Sequence, residues 1–257
     1  MFTKLLKYEF RTVKKALLPI TVAALLSAVL GYVMMLLVSQ QFVTQDNVIF
    51  VFLSMILLFG ILILFVVYSA GSSFYLFYRF YKGKFTDEGY LTFTLPATTH
   101  QILLASIVNI VIWNLITLLV VILCFFLTFA PLISDLVDFP FQVFFEISYA
   151  GNIFASILQI LGSFSYGIIL PMLSITIGSL IAKKHKILAA FGIGYLISML
   201  VSFITSFLSI TELAAVDSIY GEISMDSTMI VTGILMLAIS VGGYFIMHYL
   251  VKNKLNI

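Results

Sequence analysis

The chain has 257 residues, 62% of them hydrophobic and 9% charged, with a net charge of +2. Soluble domains carry roughly 25% charged residues, so a water-exposed globule is excluded: there is too little polar surface to cover a core of this size. The small net charge hides a segregation. All 13 lysines and arginines fall in four clusters: Lys4, Lys7, Arg11, Lys14 and Lys15; Arg79, Lys82 and Lys84; Lys183, Lys184 and Lys186; Lys252 and Lys254. The clusters are small and border apolar segments, which disfavours nucleic acid as a partner.

Between clusters run pairs of apolar segments, each pair joined by a loop without a basic residue. Those loops hold Asp46; Asp135, Asp138 and Glu146; and Glu212, Asp217, Glu222 and Asp226. Basic loops stay on the cytoplasmic side of a bilayer. The expected fold is therefore an all-α membrane protein of six transmembrane helices, one domain over 1–257, with both termini cytoplasmic and lipid as the main solvent.

Residues 2–17 come first. Phe2, Leu5, Leu6, Phe10, Val13 and Leu17 recur at helical spacing, with the basic residues, Arg11 among them, on the opposite side. This predicts an amphipathic helix lying in the headgroup plane. Glu9 falls on its apolar side, as a snorkelling carboxylate or a local ion pair, or as a contact to a basic loop of the bundle. Pro19 is expected to mark the turn into the membrane. The stretch that follows is too long for a signal-peptide core, so the first span is expected to be retained.

Spans are predicted at about 18–39, 48–78, 102–133, 150–182, 187–210 and 228–250. About 20 residues cross the hydrocarbon, so the second, third and fourth project beyond it, tilt or kink, and Pro171 is a candidate kink in the fourth. The outer loops 40–47 and 211–227 are short, and 134–149 has room for a small amphipathic element around Phe139 to Phe145.

The loop from Arg79 to Gln101 reads RFYKGKFTDEGYLTFTLPATTHQ. Asp87 and Glu88 ahead of Gly89, Tyr90 and Leu91 suit a short helix with acids at its start, where the helix dipole favours them. Leu95-Pro96 interrupts regular structure, and Thr98 or Thr99 can cap the next helix. Such a loop either holds two spans at a fixed angle or docks a cytosolic partner through Tyr90, Leu91 and Phe93.

Polar residues also occur inside the spans. Asn109 and Trp113 share a face of the third, beside Asn114. Ser163, Gly167, Pro171, Ser174 and Gly178 make a stripe on the fourth, and Gly194, Ser198, Ser202, Thr205 and Ser209 one on the fifth. Small residues at this spacing let helices approach closely. The alternative for Asn109, Trp113, Asn114, Ser198 and Ser202 is the lining of a substrate path.

Several functions are disfavoured. No GxxxxGK[ST] phosphate loop occurs. His100, His185 and His248 lie near span ends without an HExxH or paired-glutamate arrangement, so each reads as a surface histidine. Cys124 is the only cysteine. No Asp, Glu, Lys or Arg sits near the centre of a predicted span, where ion-coupled carriers usually place ionisable groups. The chain is accordingly expected to be neither an enzyme nor the holder of a cofactor or metal.

The segment LLKYEFR ahead of a proline, together with DEGYLTFTLPATTHQILLAS entering a Trp-containing third span, resembles the ABC-2-type permeases. These are six-span membrane subunits of bacterial ATP-binding cassette exporters. The likeness lies in residues 4–20 and 79–115, and the six-span topology agrees throughout; the outer loop between spans five and six is too short for a large extracellular domain. The resemblance implies an interfacial connecting helix at 3–16, including Glu9 and Arg11. It further implies an ATPase-coupling helix at Phe85, Asp87, Glu88, Gly89, Tyr90 and Leu91, and a second cytoplasmic contact at Lys183, Lys184, His185 and Lys186.

On this reading the protein sits in the bacterial plasma membrane and pairs with a second permease copy or a paralogue. A separate cytosolic ABC ATPase binds ATP and Mg and drives export of an amphiphile such as a peptide, bacteriocin, drug or lipid. A membrane scaffold or sensor docking a cytosolic partner, and the six-span module of a vitamin importer, are the alternatives.

Overall fold

The computed structural model describes residues 2–44, 48–94, 97–135, 150–182, 184–216 and 225–254. All its regular elements are helices: α1 (Phe2–Thr44), α2 (Val48–Phe85), α3 (Asp87–Phe93), α4 (Thr99–Asp135), α5 (Ala150–Ile181), α6 (Lys186–Val216) and α7 (Met225–Lys254). Six of them, all but α3, are long and apolar enough to cross a membrane. The chain is a multi-pass membrane protein. Large side chains such as Leu26, Leu30, Phe59, Leu119 and Phe203 are exposed on these helices, an arrangement only an apolar solvent stabilises.

The N-terminal residues depart from expectation. They do not form a separate helix ending at Pro19; α1 continues through that proline for 43 residues. At 1.5 Å per residue it is about 65 Å long, roughly twice the hydrocarbon thickness. Proline removes one backbone hydrogen bond and clashes with the carbonyl one turn back. Breaking the helix in an apolar medium would leave more groups unpaired, so the helix runs on. Helices α4 and α5 likewise continue through Pro131 and Pro171.

Other boundaries shift in the same direction, toward longer helices. Helix α2 extends past residue 78 to Phe85, α6 past 210 to Val216, and α7 begins at Met225. The element expected around Phe139 to Phe145 lies outside the described residues, as do Asp46, Asp138, Glu146, Asp217 and Glu222.

The helices divide into two compact units, one formed by 3–79 with 108–147 and the other by 80–107 with 148–257. The first is a bundle of α1 with the larger parts of α2 and α4. Ala28, Phe65 and Cys124 form its core, with Leu25, Ile61, Leu62 and Val120 around them. The Cys124 thiol donates to the Ala24 carbonyl at 3.7 Å. Gly31 admits Thr128: a Cβ there would come within 2.8 Å of the threonine methyl. Phe10 stacks on Trp113 with centroids 5.1 Å apart, so a residue expected at the headgroups is committed to this bundle.

In the second unit α5 packs on both α6 and α7. Gly162 and Gly233 meet backbone to backbone, and a Cβ on Gly162 would lie 2.6 Å from the Gly233 carbonyl oxygen. Hydroxyls flank this contact: Thr232 donates to Gln159 Oε1 at 2.6 Å and Ser165 to Ser240 at 3.2 Å. Toward α6, Gly178 sits against the Ala190 backbone and Gly194 against Ser174 Oγ. The expected stripe on α5 is thus only half a packing surface. Ser174 and Gly178 are buried, whereas Ser163 and Gly167 are exposed, and the glycine that touches α7 is Gly162.

Candidate functional site

The end of α2 and the start of α4 meet the other helix ends of the second unit around α3. A helix terminus leaves its last carbonyls without partners, and at the end of α2 side chains supply them. Thr86 Oγ1 donates to the Lys82 carbonyl, Thr92 Oγ1 to that of Gly83 at 3.0 Å, and Lys186 Nζ to that of Phe85 at 3.4 Å. Thr92 belongs to α3 and Lys186 to α6, so α3 is braced against α2, and the start of α6 is tied to the same terminus. Phe80 and Phe85 meet edge to face below it, and Lys84 is buried.

Helix α3 is the short helix expected from Asp87-Glu88. Thr86 precedes it in an extended conformation (φ −118°, ψ −170°) and makes no side-chain cap; the Gly89 N–H closes the first turn on the Thr86 carbonyl at 2.7 Å. Glycine is required at 89, because a Cβ would run into the Lys84 carbonyl. Glu88 pairs with Lys82 at 3.3 Å. Both partners are about half exposed, and such pairs contribute about 1 kcal/mol or less. Lys82→Ala is therefore expected to leave the unfolding midpoint within experimental scatter. Tyr90 is 65% exposed on a helix otherwise tied down.

Helix α4 opens with a reciprocal cap. Thr98 Oγ1 accepts the Gln101 N–H at 3.3 Å, and Gln101 Oε1 accepts the Thr98 N–H at 3.4 Å. This is a capping box, and its signal, threonine three residues before glutamine, is present in the chain. One turn on, His100 stacks on His248 with centroids 3.6 Å apart. His100 Nδ1 pairs with Tyr244 at 2.9 Å, and Thr99 Oγ1 with His248 Nε2 at 3.1 Å. Two histidines read separately as surface residues are thus one contact between α4 and α7, invisible in a sequence that places them far apart.

Of the predicted site residues, Phe85, Asp87, Glu88, Gly89, Tyr90 and Leu91 lie together at the end of α2 and in α3. Lys186 joins them through Phe85; Lys184 and His185 are exposed nearby in the chain, and Lys183 lies outside the described residues. Glu9 and Arg11 belong to α1 in the other unit. On α6, Ser198 is half-buried and Ser202 exposed.

Asn109, Trp113 and Asn114 belong to a polar seam in the three-helix unit. Asn114 donates to the Ile110 carbonyl at 2.9 Å and accepts from Ser73 Oγ at 3.1 Å, which sets the register of α2 against α4. Four further buried polar atoms belong to α2 and α4 here: Tyr68 OH, within reach of Thr117 and Ser72, Ser72 Oγ, and Asn109 Oδ1 and Trp113 Nε1, for which the protein supplies no hydrogen-bond partner among the described residues. An unmet buried group costs about 1–3 kcal/mol. The Tyr68 and Ser72 hydroxyls were not foreseen; only their spacing of four along α2 could have pointed to them.

Among the described residues no three histidine, cysteine or acidic side chains converge as metal ligands. Fold and site define a helical, multi-pass membrane protein with a braced short helix at one end of its larger unit. The chain matches no family model, no curated protein and no solved structure.

Proposed function

We propose that the chain is the membrane-spanning permease subunit of an ABC-2-type exporter in the bacterial plasma membrane. Both termini face the cytoplasm, and a separate ABC ATPase docks on α3. The reading rests chiefly on how α3 is built. A seven-residue helix too short to persist alone is held by Thr92, Gly89 and the Lys82–Glu88 pair, and it carries the exposed Tyr90. Tying its base to α6 through Lys186 lets a push on α3 reach more than one spanning helix.

The segregation of basic residues supports a cytoplasmic position for α3. ATP and Mg belong to the ATPase, and the permease is not itself an enzyme. A second copy or paralogue completes the transporter, and the substrate is an amphiphile such as a peptide, bacteriocin, drug or lipid. Co-expression with the ATPase encoded by the neighbouring gene should yield a complex that survives size exclusion in detergent. A permease that elutes alone in the presence of every such ATPase would refute the assignment.

A further inference from the structure

The start of α4, up to Ile107, belongs to the unit built on α5, α6 and α7, and its first turn meets α7 through two imidazoles. His100 and His248 lie ring on ring, with centroids 3.6 Å apart and planes inclined by 17°. Each ring is held at one nitrogen. His100 Nδ1 pairs with the Tyr244 hydroxyl at 2.9 Å, and His248 Nε2 with Thr99 Oγ1 at 3.1 Å. His100 is exposed and His248 half-buried, so protons reach both rings from water.

Nearly parallel rings direct their nitrogens side by side instead of toward a common point, so the pair is poorly shaped to converge on a metal ion. What it can take up is a proton. A first imidazolium meets a neutral ring and no like charge within the pair. A second proton puts like charges 3.6 Å apart, and neither helix offers a carboxylate to offset them. Lys252, one turn beyond His248, adds a further positive charge, and Tyr244 is a phenol, uncharged in the range where imidazoles titrate. The only acid of α4 is Asp135 and the only acid of α7 is Asp226, each at the opposite end of its helix.

We propose that His100 and His248 form a proton-operated latch between α4 and α7, closed while the pair holds at most one proton and opened by a second. Acidification through the imidazole range, from about pH 8 to about pH 5, therefore weakens the contact. Helix α4 leads directly from the connection that carries α3. Release frees that connection at its α4 end, while Thr92 and Lys186 still hold it at the end of α2. The latch is a property of this chain and does not require that an ATPase dock on α3.

Hydrogen–deuterium exchange of the full-length protein in lipid nanodiscs tests the latch, with rates corrected for the intrinsic pH dependence of amide exchange. Between about pH 8 and about pH 5, exchange around His248 on α7 and at the start of α4 should rise about sevenfold or more, the factor for two unit charges at this spacing in bulk water. His100→Gln and His248→Gln each remove one titrating ring, and each should remove the rise. His185→Gln, at the exposed third histidine, should keep it. The segment of α5 around Gly162 should show no rise in any of these proteins. An undiminished rise in both pair variants would overturn the latch, as would a wild-type protein with no rise or with an equal rise around Gly162. Should both pair variants aggregate on size exclusion, the wild-type comparison between His248 and Gly162 decides alone.

Discussion

Gly162→Val should lower the stability of the second unit by about 3 kcal/mol or more, read as a drop in the unfolding midpoint in detergent. The Cβ at 162 meets the Gly233 backbone at 2.6 Å, and a backbone cannot swing aside as a side-chain tip can. Helices α5 and α7 must separate. Overpacking alone costs about 1–3 kcal/mol, and separation also stretches the Thr232–Gln159 and Ser165–Ser240 hydrogen bonds, each worth about 0.6 kcal/mol between membrane helices. Gly167 is the internal control: it lies on the same helix, and a Cβ added there would meet nothing within 4 Å. Gly167→Ala should be neutral or stabilising, by up to about 1 kcal/mol of helix propensity. Equal midpoints for Gly162→Val and Gly167→Ala would show that the close approach of α5 and α7 carries no stability.

If α3 docks an ATPase as proposed, Gly89→Val and Tyr90→Ala should both strongly reduce permease-stimulated ATP hydrolysis at a fixed ATPase concentration, for different reasons. The valine cannot fit against the Lys84 carbonyl, so α3 must leave the end of α2 and give up the Thr92–Gly83 bond. Tyr90→Ala leaves α3 in place and removes the exposed side chain proposed as its anchor. Aromatic anchors at interface centres are worth about 2 kcal/mol or more, so the ATPase should bind about 30-fold more weakly. Titrating the ATPase against nanodisc-embedded permease measures this directly. Raising ATPase concentration should rescue Tyr90→Ala but not the misplaced helix of Gly89→Val. Full stimulation in both variants would remove α3 from the coupling role.

Much of the architecture could be read from the chain. Six apolar segments long enough to span a bilayer, and the acid-led helix after Thr86, follow from composition and local chemistry. The break at Pro19 did not. A proline signals a helix end where water can satisfy the freed groups, and in an apolar medium that outlet is missing. Phe10 shows the consequence. Its spacing marked it as part of a headgroup-facing surface, yet it stacks on Trp113, a choice between two apolar surroundings that a hydrophobic pattern does not distinguish.

The sites divide along the same line. Asp87, Glu88, Gly89 and Tyr90 are neighbours in the chain, so their helix was legible; that Gly89 is needed because Lys84 lies against it was not. The Thr98–Gln101 cap is local and its motif was visible. Contacts between distant residues were not: Lys186 on the Phe85 carbonyl, His100 on His248, and Ser73 on Asn114.

The sequence by itself determined the solvent of this protein, the number of its spans and the position of its short helix, because hydropathy, charge and turn chemistry act over a few neighbouring residues. Which small residues touch, which polar atoms are left without partners, and which helix ends are tied together were decided only by the tertiary structure. Those properties depend on the register between helices, and the register is set by side chains that meet across long stretches of chain.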